Sequence, residues 1–408
     1  MSSESYTASD VIDAPQPGSV DWLKVSLVLA ALGMGGFAIG VTEFAAMSVL
    51  PDFAAGLGVD EPTAGHAISA YAAGVVVGAP ILAVLGARAP RWLLLIVFMA
   101  LFAIGNGLSA LSPTFGWMLV FRFLSGLPHG AYFGVAALVA AALVPLKYRT
   151  RAVSTILLGL TVGTVIGVPI ANAASHAFGW RWTFIIVSVL AVLTMALIAL
   201  FAPRDPAHAD ASPMRELGAL RNSQVWLTLG VGAIGFGGMF AVYAYLASTL
   251  RSVTGVGPEV MPWVFAIFGV GMLAGNLIGA WAADKVGFKA AGGLLLWSVF
   301  ALALYPFAAP HLWAMLVVVL LIGAGGGLGS ILQTRLMDVA GEAQTLAAAL
   351  NHSAFNTANA LGPLLGGMAV AAGLGWTSTA WVGVGLTLGG LAIWAIAYAS
   401  GRRRALMA

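Results

Sequence analysis

Residues 22–50 read WLKVSLVLAALGMGGFAIGVTEFAAMSVL, an apolar stretch whose only charged residues are Lys24 near its start and Glu43 in its second half. A helix needs about 20 apolar residues to cross a lipid bilayer, so this stretch is long enough. Similar stretches follow along the rest of the chain, separated by short polar breaks. The sequence predicts an all-α membrane protein with spans near residues 22–50, 63–86, 92–111, 114–143, 151–174, 182–201, 223–250, 260–283, 290–309, 312–333, 346–372 and 377–399.

The composition excludes a water-soluble protein. Charged residues make up 8% of the chain and apolar types 60%, whereas about 25% of a soluble domain is charged. Residues 1–21 are rich in acids, Ser and Pro and lack the basic start and cleavage site of a signal peptide. We therefore expect them to form a disordered cytosolic tail. The chain has no Cys, which excludes disulfides, thiolate metal sites and Cys nucleophiles.

The basic residues indicate the orientation of the chain. If the N-terminus is cytoplasmic, most of them lie on the cytoplasmic side, as the positive-inside rule requires. Arg181 and Arg251 fall outside, and Arg122 lies within a span. We expect both termini to be cytoplasmic and the net charge of +3 to reflect topology rather than nucleic-acid binding. The cytoplasmic set is Lys24, Arg88, Arg91, Lys147, Arg149, Arg151, Arg204, Arg215, Arg221, Lys285, Lys289, Arg335, Arg402, Arg403 and Arg404.

The chain also contains an internal repeat. An offset of about 197 positions aligns the first six spans with the last six and brings Gly40 onto Gly237, Gly126 onto Gly323, and Gly130 onto Gly327. Such a repeat predicts two pseudo-symmetric six-helix halves with a cavity between them. We expect halves at 22–202 and 223–400, a cytoplasmic linker at 203–222 and a basic cytosolic tail at 401–408.

Two ionisable residues within the spans are the clearest functional candidates. Glu43 lies seven residues from the outer end of the first span, and Arg122 about eight from the outer end of the fourth. At 1.5 Å per residue, both lie roughly 10–12 Å below the outer face and could pair. Each intramembrane charge costs about 2.5–3.5 kcal/mol, so a function or a partner must compensate for it. The aligned positions of the second half hold Phe240 and Val319.

We interpret Glu43 as a proton-coupling residue. A carboxylate beside a guanidinium binds a proton weakly, whereas one without that partner in an apolar cavity binds it tightly. Glu43 would take a proton when the cavity opens outward and release it inward, with Arg122 or substrate setting its affinity. His129, seven residues after Arg122, could relay protons or could be a packing residue. The alternative for the charged pair is a fixed lock between the first and fourth spans.

A polar stripe marks the eleventh span. His352, Asn356 and Asn359 follow one another at i, i+4 and i+7. Their donors would be unsatisfied in lipid, so the stripe should face the cavity or a neighbouring helix. Substrate contact and interhelical hydrogen bonding both remain open. Tyr243 in the seventh span and Asn276 in the eighth are weaker candidates of the same kind.

Small residues are regularly spaced in the fifth span. Gly159, Gly163 and Gly167 follow at four-residue intervals, with Pro169 just after them. Such a groove lets another helix approach closely, and the proline permits a bend. Simple packing and a moving hinge are both consistent with this pattern.

No catalytic motif supports an enzyme. The chain lacks HExxH, the Walker lysine motif and GxSxG. Gly230, Gly232 and Gly235 have the spacing of a dinucleotide fingerprint, but they lie inside an apolar span with no preceding strand. We expect a monomeric protein without a cofactor or metal, whose partners are protons, a small-molecule substrate and the lipid bilayer.

Over about residues 25–400 the sequence resembles the major facilitator superfamily, and within it the twelve-helix drug:proton antiporters near the bacterial sugar, arabinose and purine efflux proteins. The resemblance implies the major facilitator fold, proton coupling at Glu43 and Arg122, exchange rather than uptake, and a place in the bacterial cytoplasmic (inner) membrane. The stretches that carry it are GVTEFAAMSVLPDFA (40–54), RFLSGLPHGAYFG (122–134), GLTVGTVIGVP (159–169), GWRWTF (179–184) and SAFNTANALGPLLGG (353–367).

The loop that follows the second span departs from the family pattern. The family's G-x-L-A-D-R-x-G-R-K loop, which implies a cytoplasmic latch, keeps Arg88 and Arg91 here but has Ala87 in place of the acid. The helix 5 motif is also imperfect, because Val168 separates its last glycine from the proline. The matching loop after the eighth span is closer to the pattern, so we expect the stronger latch there, at Asp284, Lys285 and Lys289.

The function that these features favour is proton-driven efflux of a small organic molecule by alternating access. The membrane potential supplies about 2.3 kcal/mol per charge per 100 mV, so proton entry can drive a solute outward without nucleotide. An uncoupled uniporter of the same fold would transport equally well without a pH gradient. A membrane sensor would need a soluble output domain. A drug, a sugar and a nucleoside all remain open as substrates.

Overall fold

A computed structural model describes residues 21–86, 88–145, 148–205, 221–340 and 344–407, without the side chains of 83–84, 150–151, 344–346, 348–349 and 402–407. The described chain is helical throughout, and twelve helices are long and apolar enough to cross a membrane, as predicted. These are α1 Trp22–Ser48, α2 Glu61–Leu82, α3 Arg91–Ala110, α4 Phe115–Ala142, α5 Ala152–Phe178, α6 Arg181–Phe201, α7 Ser223–Ala244, α8 Met261–Val286, α9 Lys289–Ala308, α10 Leu312–Val339, α11 Leu350–Leu374 and α12 Ser378–Gly401.

Some predicted features lie outside this description. Residues 1–20 of the expected tail, residues 206–220 of the expected linker, and the basic residues Lys147 and Arg215 are among them. At the C-terminal end, helical backbone continues to Met407, so the helix that contains α12 extends through most of the segment that we expected to be a tail.

Helix–helix contacts divide the bundle into two equivalent halves. Within α1–α6, α1 packs on α5 and α6, α2 packs on α4, and α3 packs on α4 and α6. The second half repeats this pattern, with α7 on α11 and α12, α8 on α10, and α9 on α10 and α12. The halves meet where α2 packs on α11 and α5 packs on α8, two contacts that a two-fold axis exchanges. The predicted pair of pseudo-symmetric six-helix halves is confirmed.

The repeated glycines make the same contact in both halves. A side chain on Gly126 of α4 would overlap the backbone carbonyl of Tyr71 on α2. A side chain on Gly323 of α10 would overlap that of Phe268 on α8 in the same way. Both pairs are related by the offset of 197 positions. The sequence repeat therefore reflects two helix crossings that need a residue without a Cβ.

The ends of the bundle are defined by the termini. We call the end where α1 starts at Trp22 and α12 ends at Gly401 the terminal face, and the opposite end the far face. At the far face, α1 is followed by a short helix, Leu50–Leu57, which stops at Gly58 because its φ of +68° suits glycine. Between the faces the outer surface exposes large apolar side chains such as Leu200 and Trp313, as a lipid-facing surface requires.

Candidate coupling and substrate site

Glu43 joins the two halves of the protein. Its side chain lies in the second half of α1 and is only 6% exposed. One carboxylate oxygen, Oε1, accepts a hydrogen bond of 3.0 Å from Nδ2 of Asn359 on α11. The single acid in the membrane-spanning part of α1 therefore contacts the opposite half through a neutral amide.

Glu43 and Arg122, which could pair according to their positions in the sequence, form no direct ion pair with each other. Arg122 is buried and donates from Nη1 to Oγ1 of Thr42 at 3.2 Å. Successive helical residues point about 100° apart, so an α4 side chain that reaches Thr42 meets a different face of α1 from the one that carries Glu43. The two charges are neighbours at similar depth, but each has its own partner.

Arg122 is stabilised by aromatic rings as well as by the Thr42 hydroxyl. Its guanidinium carbon lies 4.3 Å from the centroid of the Tyr71 ring and 5.4 Å from that of Phe184. Such cation–π contacts gain strength where water is excluded. Thr42 in turn donates to Oδ1 of Asn106 on α3 at 2.7 Å. The first half therefore holds its buried cation with contacts from α1, α2 and α6.

His129 lies beyond Arg122 on the same buried side of α4. Its Nδ1 is 2.9 Å from the hydroxyl of Tyr71, the residue whose ring also contacts Arg122. The imidazole centroid lies 6.3 Å from that of His352 on α11. Tyr71 thus contacts both Arg122 and His129, the His129 ring lies near His352 of the opposite half, and the relay role of His129 stays a prediction.

The polar stripe of α11 faces the first half, not lipid. The His352 ring stacks on Phe133 of α4 with centroids 4.8 Å apart, and Asn359 contacts Glu43. Asn356 donates from Nδ2 to the backbone carbonyl of His352 at 2.9 Å. The Oδ1 atoms of Asn356 and Asn359 are buried without a hydrogen-bond partner. Both can accept a hydrogen bond from a ligand or from water.

The other two substrate candidates differ in position. Tyr243 on α7 is buried at the interface, with its ring centroid 5.2 Å from Phe44 and 4.3 Å from Phe268, and its hydroxyl has no partner. Asn276 instead accepts a hydrogen bond from Ser330 at 3.3 Å, which ties α8 to α10 inside the second half. Tyr243 therefore packs on Phe44, next to Glu43, whereas Asn276 makes an interhelical contact.

The glycines of α5 form the groove that the sequence predicted. A side chain on Gly159 would overlap the backbone of Gly33 on α1, and one on Gly163 would meet the carbonyl of Phe37. The segment Gly163–Gly167 is π-helical, and Pro169 lies at the start of the regular helix that follows. The close packing of α5 on α1 is therefore present. The π-helical segment and Pro169 are features that permit a bend in α5.

The loop residues with expected gating roles lie at the terminal face. The backbone amides of Arg91 and Trp92 donate to the carboxylate of Asp205 at 2.9 and 3.1 Å. Asp205 follows α6 and caps the start of α3, where an acid is favourable. The sequence analysis did not single out Asp205. The loop between α2 and α3 has Ala87 in place of the family's acid, and Asp205 supplies a carboxylate to the start of α3. The side chains of Arg88, Asp284, Lys285 and Lys289 are exposed there, and their latch role stays a prediction.

A second set of contacts between the halves lies at the far face. Asp52 forms an ion pair with Arg251 of the second half at 2.9 Å, and Nδ1 of His176 on α5 is 3.4 Å from the same carboxylate. Ser248 of the second half hydrogen-bonds to Glu61 at the start of α2. These residues were not singled out from the sequence, because each is one polar residue in a loop or at a helix end.

Comparison with known proteins gives the family. A family model described as the Major Facilitator Superfamily matches residues 32–255 and 229–405. The inner membrane transport protein YdhP of Escherichia coli strain K12 is 38% identical over 357 residues, which cover 87% of this chain and 92% of that protein. The chloramphenicol resistance protein of Streptomyces lividans is 34% identical over 347 residues, 83% of this chain and 88% of that protein.

A solved structure has the same fold. A bacterial homolog of the human lysosomal transporter Spinster, in an inward-facing and occupied conformation, superposes with a TM-score of 0.69. The match covers 91% of this chain and 96% of the other at 18% sequence identity. At that identity the likeness concerns the fold alone.

Proposed function

Because the chain belongs to the major facilitator superfamily and is a membrane transporter, we propose that it exports a small organic molecule from the cytoplasm in exchange for protons. The terminal face is then cytoplasmic, in the bacterial inner membrane. The two halves rock about the region around Glu43, which is exposed alternately to either side. Proton entry along the membrane potential supplies the free energy.

The contact between Glu43 and Asn359 is the observation that carries this proposal. It joins a titratable group of the first half to the second half, and the halves separate at this contact in the proposed cycle. A buried charge is costly without an ionic partner, and protonation removes that charge. Separation of the halves, in contrast, lets water reach the carboxylate. Proton binding and the movement of α1 against α11 are therefore linked by one side chain.

The substrate class is proposed from the groups near Glu43. Phe44, Tyr243 and Phe268 offer aromatic surface, while Asn356 and Asn359 offer unpartnered carbonyl oxygens. An amphipathic molecule with an apolar body and hydroxyl or amide donors fits this combination. The relative named for chloramphenicol resistance supports a drug-like substrate. Sugars and nucleosides would use the amides more than the rings.

Growth and transport assays test the proposal together. The gene is expressed in an efflux-deficient bacterial host, and growth is scored against chloramphenicol, other antibiotics, nucleoside analogues and toxic sugars. Each protected compound is then assayed in inside-out membrane vesicles energised by respiration, with and without a protonophore. We expect accumulation in the vesicles that the protonophore abolishes. Transport that the protonophore leaves unchanged would identify an uncoupled facilitator and refute proton coupling.

A further inference from the structure

A basic cavity lies at the terminal face, away from the coupling residues. It has a volume of about 410 Å³ and is lined by Phe288, Lys289, Arg335, Tyr398 and Gly401. These residues come from the start of α9 and the ends of α10 and α12. Its volume falls within the range of about 300–1,000 Å³ that small-molecule sites occupy. Among the residues that the structure describes, the lining contains two cations and no acid.

Arg335 is held in a fixed position within this cavity. Its Nη2 donates to Oε1 of Gln224 on α7 at 3.1 Å, and its guanidinium carbon lies 5.1 Å from the centroid of the Phe288 ring. Gln224 is itself fixed, because its Nε2 donates to Oγ of Ser400 at 2.9 Å. The Nε atom of Arg335 is buried and has no hydrogen-bond partner. A guanidinium held in a fixed position suits a planar or tetrahedral oxyanion.

The cavity lies level with the terminal-face ends of two membrane spans. Lys289 is the first residue of the α9 span and Gly401 the last of the α12 span. Beside it, the ring of Trp394 stacks on Tyr398 with centroids 5.5 Å apart, and the indole donates to the carbonyl of Phe288 at 2.9 Å. Aromatic residues of this kind mark the membrane–water interface.

Asp338 is an acid close to the cavity. Asp338 follows Arg335 by three residues on α10, is exposed, and forms no ion pair with it. Water screens an exposed carboxylate well, so Asp338 weakens but does not cancel the positive potential of Lys289 and Arg335. The cavity therefore retains two cations for an anionic ligand.

We propose that this cavity binds the phosphate of an anionic phospholipid headgroup, with Arg335 as the fixed donor and Lys289 as the second charge. The acyl chains would lie against the outer surface of α9, α10 and α12. Basic pockets between membrane helices are suited to anionic headgroups. The site is separate from Glu43, so it stands whether or not transport is coupled to protons.

Lipid titration of the purified full-length protein tests this site. Native mass spectrometry in detergent measures binding of dioleoyl phosphatidylglycerol and dioleoyl phosphatidylcholine to the wild type, Arg335→Gln and Lys289→Gln. Arg204→Gln serves as the matched control, because Arg204 lies 5.6 Å over Trp92 at the terminal face of the other half. A parallel thermal melt with inorganic phosphate separates a lipid from a free anion.

We expect the wild type to prefer phosphatidylglycerol, and each cavity variant to bind it about fivefold more weakly, as expected for one interfacial cation. Arg204→Gln should bind it like the wild type, and inorganic phosphate should not raise the melting temperature. If Arg335→Gln does not fold, lipid binding by Lys289→Gln, a change at an exposed residue, decides the test. Equal binding of the two lipids, unchanged binding in the cavity variants, or stabilisation by inorganic phosphate would each overturn the proposal.

Discussion

At the scale of single residues, the buried charges are stabilised by different kinds of partner. Arg122 has a hydroxyl and two aromatic rings within its own half. Glu43 has an amide from the other half. In the alternating-access cycle that we propose, the contacts of Arg122 persist while the halves move, whereas the contact of Glu43 breaks. On this proposal Glu43 makes the moving contact and Arg122 the fixed one.

Asn359 can be tested against its neighbour Asn356. Asn359→Ala removes the amide donor from the Glu43 carboxylate, and a hydrogen bond to a charged group contributes about 1.5–3 kcal/mol. We expect proton release on substrate addition, followed with a pH-sensitive dye in proteoliposomes, to fall by roughly 10- to 100-fold.

Asn356→Ala is the matched control, because the Asn356 amide donates to its own helix backbone. It should weaken substrate affinity but keep proton release at a saturating substrate concentration. Equal loss of proton release in both variants would show that the contact between Glu43 and Asn359 has no special role.

At the scale of helices, α1 and α5 pack through backbone because glycine leaves room for it. A Cβ on Gly159 would meet the carbonyl of Gly33, which a small shift of a side chain cannot relieve. The π-helical segment Gly163–Gly167 follows directly and approaches α8 of the other half, where Val165 lies against Gly269. A tight contact on α1 is thus followed by a contact across the halves.

The substitution Gly159→Ala tests this packing. We expect a loss of about 1–3 kcal/mol of unfolding free energy from overpacking, measured by denaturant-induced unfolding in detergent. Gly134→Ala is the control, because nothing lies within 4 Å of a Cβ at Gly134 of α4. That change should be neutral or stabilise by about 0.5–1 kcal/mol. A stable Gly159→Ala protein would mean that α1 and α5 separate easily.

The sequence was sufficient for the helices but not for their partners. Span length and the repeat of glycines such as Gly126 and Gly323 report burial and spacing, and these predicted the twelve helices and two halves. Which side chains meet depends on the rotation of each helix about its axis. A membrane helix is apolar on all sides, so its sequence does not indicate that rotation. Hence Arg122 met Thr42 and Tyr71 instead of Glu43.

At the scale of the whole molecule, the halves are joined at the far face by polar contacts. Asp52 pairs with Arg251 there, and Ser248 hydrogen-bonds to Glu61. Exposed ion pairs add only about 0–1 kcal/mol to stability. A conformational equilibrium between two similar states is nevertheless sensitive to such an amount.

Arg251→Gln is expected to shift that equilibrium. If the ion pair stabilises the state closed at the far face by up to about 1 kcal/mol, its loss would raise the fraction of molecules open at that face by up to about fivefold. Since the chain has no Cys, spin labels on Ala55→Cys and Ser252→Cys, both exposed near the pair, report the separation by electron–electron resonance. Arg181→Gln is the control, because Arg181 stacks on Trp180 within one half. An unchanged distance distribution in Arg251→Gln would contradict a role of the Asp52–Arg251 ion pair in holding the far face closed.

The central claim is that one buried carboxylate couples proton entry to the movement of the halves, and Glu43→Gln tests it most directly. The glutamine keeps the shape of the side chain and removes its titration, while Glu259→Gln removes an exposed acid from a far-face loop. In proteoliposomes we predict that Glu43→Gln loses transport driven by a pH gradient but still binds substrate, and that Glu259→Gln behaves like the wild type. Undiminished gradient-driven transport by Glu43→Gln would contradict the account.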